Sequence, residues 1–411
     1  MKRLTIAAAA LLFAVTANAQ NETPATVKVG GFIRDYAHMD TKEMVAGTAD
    51  LFSYIPKETQ ADDMTTYHYT AMTSRLWVTA DGYKYGNMTA NARIEADFYN
   101  GVSGVTGTAV FRLRQAFMNL SWTREDGSKI GSLKAGQAWH PMAADMPDIF
   151  SLNTGAPFGP FSRTPLIQWD APLAGNLSYT LAGVWQMQYT SCGPGGASAD
   201  YIKFSGIPEL YFGLNYKAGN ALFRVGYDFL SLKPYKNVGN RVNSSLVFAY
   251  GQYSKGLFTA KAKTTFGQDG SHLNLTGGYA VTGGTTAADY EFTSSTSSST
   301  WMTLSYGKKW QGVLFAGYIK NFGVGKEIKE GVLDNKVQPL YFFCKNSFKN
   351  VNSVWRLTPT VLRNIGKFTV GVECELTSAQ YGALSLADGT CAENTHNVLN
   401  TRLQGMLKFT F

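Results

Sequence analysis

Basic side chains alternate with apolar ones along several stretches of this chain. Arg112 and Arg114 flank Leu113, and Lys261 and Lys263 flank Ala262. Because successive residues of a β-strand point to opposite faces, this spacing predicts strands with one apolar and one charged face. The basic residues that the pattern places on the charged face are Arg34, Arg75, Arg93, Arg112, Arg114, Arg224, Lys261, Lys263, Arg356, Arg402 and Lys408.

Acids on the same faces are fewer than bases. They are Asp81, Glu95, Asp97, Asp228, Glu373 and Glu375, in a chain whose formal charge is +8. A surplus of positive charge on a shared face raises the local concentration of anions. The doublets Arg112/Arg114 and Lys261/Lys263 have no adjacent acid on their own strand. Two interpretations remain open for them: they face solutes, or they pair with neighbouring acids and keep the wall polar.

Residue types that carry out catalysis do not come together in the sequence. The five histidines fall in or beside predicted loops, and no Ser/His/acid set is found at a coherent depth. The four cysteines are far apart, without metal or redox spacing. Cys374 and Cys391 would close a short surface loop as a disulfide, or they are not bonded to each other. We therefore predict no enzyme activity, no metal and no cofactor.

The N-terminus has the features of an export signal. Lys2 and Arg3 precede an apolar run from Leu4 to Val15, and Ala19 ends an A-x-A site. We predict a signal peptide at residues 1–19 and one domain at residues 20–411. Export and the scattering of the basic residues exclude nucleic acid as a partner. An apolar run of this length is too short for a membrane-spanning helix.

Most of the chain reads as alternating segments of about ten residues, the pattern of a transmembrane antiparallel β-barrel. At the C-terminus, Leu403, Leu407 and Phe411 fall on one face, and Arg402 and Lys408 fall on the other. Seven short turns and eight long connections predict a general-porin-like barrel of about sixteen strands in outer-membrane lipid. We place Ser271–Val281 in the sixth long loop, outside the wall. The serine-rich tract Ser294–Thr300 is interpreted as a flexible part of the same loop.

A barrel of this size encloses a water-filled channel. The sequence predicts no globular plug before the first strand at Val27, and therefore an open interior. The third long loop, His140–Arg163, is apolar and rich in proline, so we expect it to fold inward and narrow the channel. That fold would place Asp145, Asp148 and Arg163 in the constriction. The alternative is a cap on the outer rim or a contact between subunits.

These features predict passive diffusion of small hydrophilic solutes, with a preference for anions. The residues that we expect to line the channel or its constriction are Arg75, Arg93, Arg112, Arg114, Asp145, Asp148, Arg163, Arg224, Lys261, Lys263 and Arg356. Three other functions remain: a surface adhesin or structural barrel, a specific sugar channel with an aromatic track, and a barrel-borne enzyme.

Four runs in this order make the chain resemble the DcaP-like outer-membrane porins. They are RIEADFY from Arg93, FRLRQAF from Phe111, LKAGQAW from Leu133 and RTPLIQW from Arg163. The resemblance is firm from about Lys28 to Pro172. It implies sixteen strands, a homotrimer, passage of small anions such as dicarboxylates, and a constriction built from wall arginines. The positions that match the family runs are Arg93, Arg112, Arg114 and Arg163. Some members carry a coiled coil before the barrel, where this chain has only Gln20–Thr26.

Overall fold

The barrel wall consists of sixteen antiparallel strands. The structure is a computed structural model, and it describes residues 22–47, 52–59, 61, 63–98, 110–151, 155–329 and 350–411. In chain order the strands are β1 Thr26–Asp40, β2 in two segments Thr66–Thr70 and Arg75–Tyr85, β3 Met88–Phe98, β4 Phe111–Thr123, β5 Lys129–Trp139, β6 Arg163–Ala174, β7 Leu177–Val184, β8 Glu209–Ala218, β9 Ala221–Leu232, β10 Val242–Lys255, β11 Phe258–Gln268, β12 Thr296–Gly307, β13 Trp310–Asn321, β14 Val351–Ile365, β15 Phe368–Ala383 and β16 Glu393–Thr410. Each strand pairs with the next, and β1 pairs with both β2 and β16, so the sheet closes. The predicted sixteen-stranded barrel is confirmed. The predicted signal peptide lies outside the described residues.

The two faces of each strand differ as the alternation predicts. In β9, Phe223 and Val225 are exposed on the outer face, whereas Asp228 is buried on the inner face. Outward apolar side chains suit a lipid surface, and an outward Lys or Arg at mid-depth would cost about 2–4 kcal/mol. The described residues contain no helix long and apolar enough to cross a membrane.

Seven short turns join strand pairs at the end opposite to the long loops, as predicted. Between β6 and β7 the turn is Gly175–Asn176. Gly175 has φ +53°, a left-handed conformation that glycine adopts without steric cost at the first central position of a tight hairpin.

The sixth loop, residues 269–295, differs from the prediction at its end. Tyr279–Gly283 pairs with Glu291–Ser294 as a separate hairpin, so Ser271–Val281 lies outside the wall as expected. Thr296–Thr300, however, belongs to β12, and the interpretation of this tract as flexible loop is wrong. Ser297 and Ser299 point inward, where a barrel strand tolerates polar side chains, so their composition does not indicate a loop.

The long loops fill much of the extracellular half of the barrel. Phe52 and Ile55 of loop 1 (residues 41–65) share one buried apolar cluster with Phe158 of loop 3 (residues 140–162) and Leu273 of loop 6. Phe52 packs edge-on against Phe161 with ring centroids 5.1 Å apart. The prediction of an open interior is therefore wrong for this half. Several loops, rather than a separate plug, narrow the interior of this half of the barrel.

The structure shows whether Cys374 and Cys391 form a disulfide, which the sequence left open. Cys374 and Cys391 are both thiols, so the disulfide between them is not formed. Cys192 is disulfide-bonded.

Candidate functional site

Loop 3 crosses the barrel interior, as its composition predicts. The carbonyl oxygen of Phe150 accepts a hydrogen bond from the Tyr36 hydroxyl at 2.7 Å, which ties the loop to β1. The amide of Phe150 donates to Glu373 of β15 at 3.2 Å. Farther along, Gly159 packs against Trp301 of β12, where a Cβ would lie 2.5 Å from the indole nitrogen. These contacts exclude the alternative of a cap on the outer rim.

An arginine cluster covers the inner face of β2, β3 and β4. Arg112 donates to Asp97 at 3.1 Å and 3.0 Å, and Arg114 donates to Glu95 at 2.7 Å and to Asp97 at 2.6 Å. Two more arginines contact Glu95: Arg93 at 2.7 Å and Arg75 at 3.3 Å. Four guanidinium groups thus share two carboxylates, which leaves a surplus of two positive charges.

A β-bulge places Arg114 in this cluster. Glu95 pairs with Gln115 and Ala96 pairs with Leu113, so Arg114 is the extra residue of β4. A bulge adds one residue to a strand and redirects the side chains beyond it. The alternation of apolar and polar residues slips after Gln115, next to this bulge.

Arg163 is a further arginine of this region and is the first residue of β6. Its guanidinium lies over the rings of Trp139 and Phe161, at 4.8 Å and 5.7 Å from the centroids. Its Nη1 has no hydrogen-bond partner among the described residues, and no described carboxylate lies within 4.0 Å of the group. Arg163 therefore has one unsatisfied donor and no described carboxylate to offset its charge.

A cavity of about 560 Å³ lies against these groups, and we call it the arginine cavity. The charged residues of its lining are Arg34, Arg75, Arg112, Arg114, Arg163, Lys408 and Asp148. Loop 3 forms its roof with Met146–Ser151, and its aromatic walls include Trp139 and Phe161. Six basic groups thus face one lining acid. Arg34 and Lys408 were placed on the charged face by the alternation but were not expected in the constriction.

A second cavity of about 590 Å³ lies beside the first, and Trp139 lines both. Its charges are nearly balanced, with Lys134, Lys217 and Arg224 against Asp145 and Asp170. The two cavities therefore offer a solute different electrostatic environments.

The acids of loop 3 pair with bases of the facing wall. Asp145 accepts from Arg224 of β9 at 2.8 Å and lies 3.9 Å from Lys263 of β11. Asp148 pairs with Lys261 of β11. The Lys261/Lys263 doublet, like Arg112/Arg114, finds its acids on other elements. All four residues of the doublets therefore have ion-pair partners, and Arg112 and Arg114 also line the arginine cavity.

Arg356 is placed differently from the prediction. Its side chain is enclosed, donating to Thr377 at 2.7 Å and to the carbonyl oxygens of Ser53 and Tyr54 at 3.1 Å and 3.0 Å. Like Arg93, Lys261 and Lys263, it lines neither cavity. Arg356 anchors loop 1 to β14, and its expected place at the channel surface is wrong because loop 1 covers it.

Comparison with known proteins rests on structure. No family model matches the chain, and no curated protein sequence matches it. The outer-membrane channel DcaP of Acinetobacter baumannii superposes with a TM-score of 0.67 at 14% identity, over 94% of this chain and 98% of that one. An anion-selective porin from Comamonas acidovorans superposes with a TM-score of 0.57 at 11% identity, over 94% of this chain and all of that one (100%). The chain has the outer-membrane porin fold.

Other porin-fold structures of similar extent include the trimer form of OmpT, an outer-membrane protein of Vibrio cholerae. Its TM-score is 0.51 at 11% identity, over 95% of this chain and 100% of that one. The resemblance to DcaP-like porins that the four runs indicate is confirmed at the level of fold. A porin fold with an apolar outer belt is an integral outer-membrane structure.

Proposed function

We propose that this porin-fold barrel is a passive channel for small hydrophilic anions. The observation that carries the proposal is the arginine cavity, where six basic side chains face Asp148 alone among the charged lining residues. The carboxylates of Glu95 and Asp97 lie behind the arginines and offset only part of their charge. Excess positive charge along a narrow path with protein walls concentrates anions and repels cations.

Two of the lining arginines have no described carboxylate partner, and of these Arg34 is partly exposed whereas Arg163 is 2% exposed. Arg34 donates to Thr73 at 3.1 Å, and like Arg163 it has no described carboxylate within 4.0 Å. A guanidinium without an acid partner can donate two parallel hydrogen bonds to a solute carboxylate. The cavity volume of about 560 Å³ falls within the range of small-molecule sites.

Small dicarboxylates are the solute class that we propose. Several guanidinium groups around one cavity can receive two carboxylates of the same molecule, whereas a single site would favour monoanions. The name of the Comamonas acidovorans protein, an anion-selective porin, describes that protein and agrees with this proposal. We also propose a homotrimer, in line with the trimer form of the Vibrio cholerae protein.

Reversal potentials in planar bilayers under a KCl gradient test the proposal. We expect the wild-type channel to favour chloride over potassium. The double variant Arg34→Gln with Arg163→Gln should lower that preference, because it removes two charges without leaving a carboxylate unpaired. The matched control is Arg124→Gln, which removes a positive charge at an exposed turn. A cation-selective wild type, or a double variant that behaves like the control, would overturn the anion assignment.

Dicarboxylate passage needs its own measurement. Liposomes that contain the protein should swell faster in succinate than in an uncharged solute of similar size. Equal rates in wild-type liposomes would contradict this part of the proposal.

A further inference from the structure

Four titratable side chains from four elements meet on the inner face, outside the linings of the two cavities. They are His140 at the start of loop 3, Glu209 of β8, Asp228 of β9 and His272 of loop 6, and each is at most 2% exposed. One ligand atom from each of His140, Glu209 and Asp228 lies within 4.8 Å of the others. None of the four lines either cavity. Channel function does not account for this cluster.

The distances in the cluster are close to those between ligands of one ion. His272 Nε2 donates to Glu209 Oε1 at 3.0 Å and lies 3.9 Å from Asp228 Oδ2. A tetrahedral ion with bonds of about 2.0–2.2 Å holds its ligand atoms about 3.3–3.6 Å apart. The observed distances lie on both sides of that value. Glu209 Oε2 and Asp228 Oδ1 accept no hydrogen bond from any described residue, so lone pairs remain for an ion.

The hydrogen bonds assign different roles to the two histidines. His140 Nδ1 accepts the Met142 amide at 3.1 Å, so its ring proton lies on Nε2, which donates to Glu209 at 2.8 Å. That nitrogen has no lone pair for an ion. His272 Nε2 donates to Glu209 at 3.0 Å in the absence of an ion. Its Nδ1 has no hydrogen-bond partner among the described residues and can take the proton when an ion replaces that hydrogen bond, so Nε2 can serve as a ligand.

A divalent cation is one way to balance the charge of the cluster. Two buried carboxylates face a neutral His140, and His272 supplies at most one positive charge. An uncompensated buried charge is costly, so buried carboxylates are normally paired or coordinate metals. One divalent cation with a neutral His272 would neutralise the cluster.

We propose that His272, Glu209 and Asp228 bind one divalent transition-metal ion, such as zinc, and that His140 is a positioning residue that orients Glu209. Imidazole and carboxylate ligands suit this class of ion. The ion would join loop 6 to two neighbouring wall strands. His140 would extend that connection to loop 3 through its hydrogen bond to Glu209.

Zinc binding by the purified, untagged protein in detergent tests the site. After chelator treatment and dialysis against zinc, we expect about one ion per chain in the wild type. His272→Ala and Asp228→Asn should lose it. His140→Gln should keep the ion but bind it about 10–100-fold more weakly, as loss of an outer partner does. The control is His38→Ala, which removes another buried histidine, from β1, and should leave stoichiometry and affinity unchanged.

X-ray absorption of the zinc-loaded wild type provides a readout that needs no variant. We expect one imidazole and otherwise oxygen ligands. Zinc binding that survives His272→Ala, or a wild type that binds no zinc, would overturn the site. Two imidazoles in the coordination shell, or abolition of binding by His140→Gln, would overturn the assigned roles. None of these results bears on anion selectivity.

Discussion

The carboxylate of Asp97 in β3 accepts two hydrogen bonds from the Arg112 guanidinium in β4, at 3.1 Å from Nε and 3.0 Å from Nη2. The two residues are direct partners in the strand register. Asp97 is also the register partner of Arg75 in β2. One acid therefore stands between two basic strands, and its side chain fixes the geometry of the arginine cluster.

Replacing this acid should affect selectivity and stability in opposite directions. Asp97→Asn removes a negative charge behind the arginine cavity, so we expect a stronger preference for anions. It also weakens charged hydrogen bonds from Arg112 and Arg114, at a cost of about 1.5–3 kcal/mol in the free energy of unfolding. Reversal potential and urea unfolding in lipid vesicles measure the two effects. Asp126→Asn, at an exposed turn, is the control. A reversal potential that matches the control would show that Asp97 does not set the field.

We expect the hydroxyl of Tyr36 to restrict the motion of loop 3. Tyr36→Phe leaves the buried carbonyl of Phe150 without its donor, a cost of about 1–3 kcal/mol. We expect larger fluctuations of single-channel current with an unchanged reversal potential, because no charge is lost. Tyr227→Phe is the matched control, since its hydroxyl contacts Ser245 on the outer face. Equal current noise in the two variants would contradict the role of Tyr36.

Trp301 should contribute strongly to stability through packing. It is 1% exposed and lies between Gly159 of loop 3 and Tyr250 of β10. Trp301→Ala should cost about 3–5 kcal/mol, because it leaves a cavity under loop 3. Trp310→Ala, at a position that is 63% exposed, should cost less. Urea unfolding of both variants measures the difference, and similar losses would show that loop 3 does not depend on Trp301.

We expect Cys391 to react more slowly with thiol reagents than an exposed cysteine does. Burial in loop 8 (residues 384–392), reinforced by Asp388, raises the pKa of the Cys391 thiol to about 12. The reactive thiolate is therefore scarce in the folded protein at pH 9, whereas an unperturbed thiol with a pKa of about 8.5 is largely ionised. We expect maleimide to label Cys391 slowly at pH 7–9 in the folded Cys374→Ala variant and quickly after unfolding. Equal rates in the two states would contradict the buried environment.

The wall of the barrel could be predicted because its pattern is local. Alternation within β9 or β16 identifies each face from residues two apart. Loop 3 was predictable for a similar reason, since Pro141, Pro147 and Pro157 stiffen an apolar segment that solvent would not favour.

Ion-pair partners were not predictable because they lie on other elements. Asp97 reaches Arg112 across a strand pair, and Asp148 reaches Lys261 although 113 residues separate them. Single-strand alternation gives the face of a residue but not the register with its neighbours. The cluster of His140, Glu209, Asp228 and His272 was not predictable for the same reason, because its members lie far apart in the sequence. His272 and Glu209, for example, are 63 residues apart. The packing of loops 1, 3 and 6 also depends on barrel closure, which no local pattern encodes.

The shared apolar cluster of loops 1, 3 and 6 has a consequence for the order of assembly. Phe52, Phe158 and Leu273 belong to loops that follow three different strands, and they also pack against residues of the closed wall such as Trp301 and Phe315. The complete cluster needs the wall residues on which it packs. We therefore expect strand closure to precede condensation of the loops. A newly closed barrel would pass through a wider, leakier state before it matures.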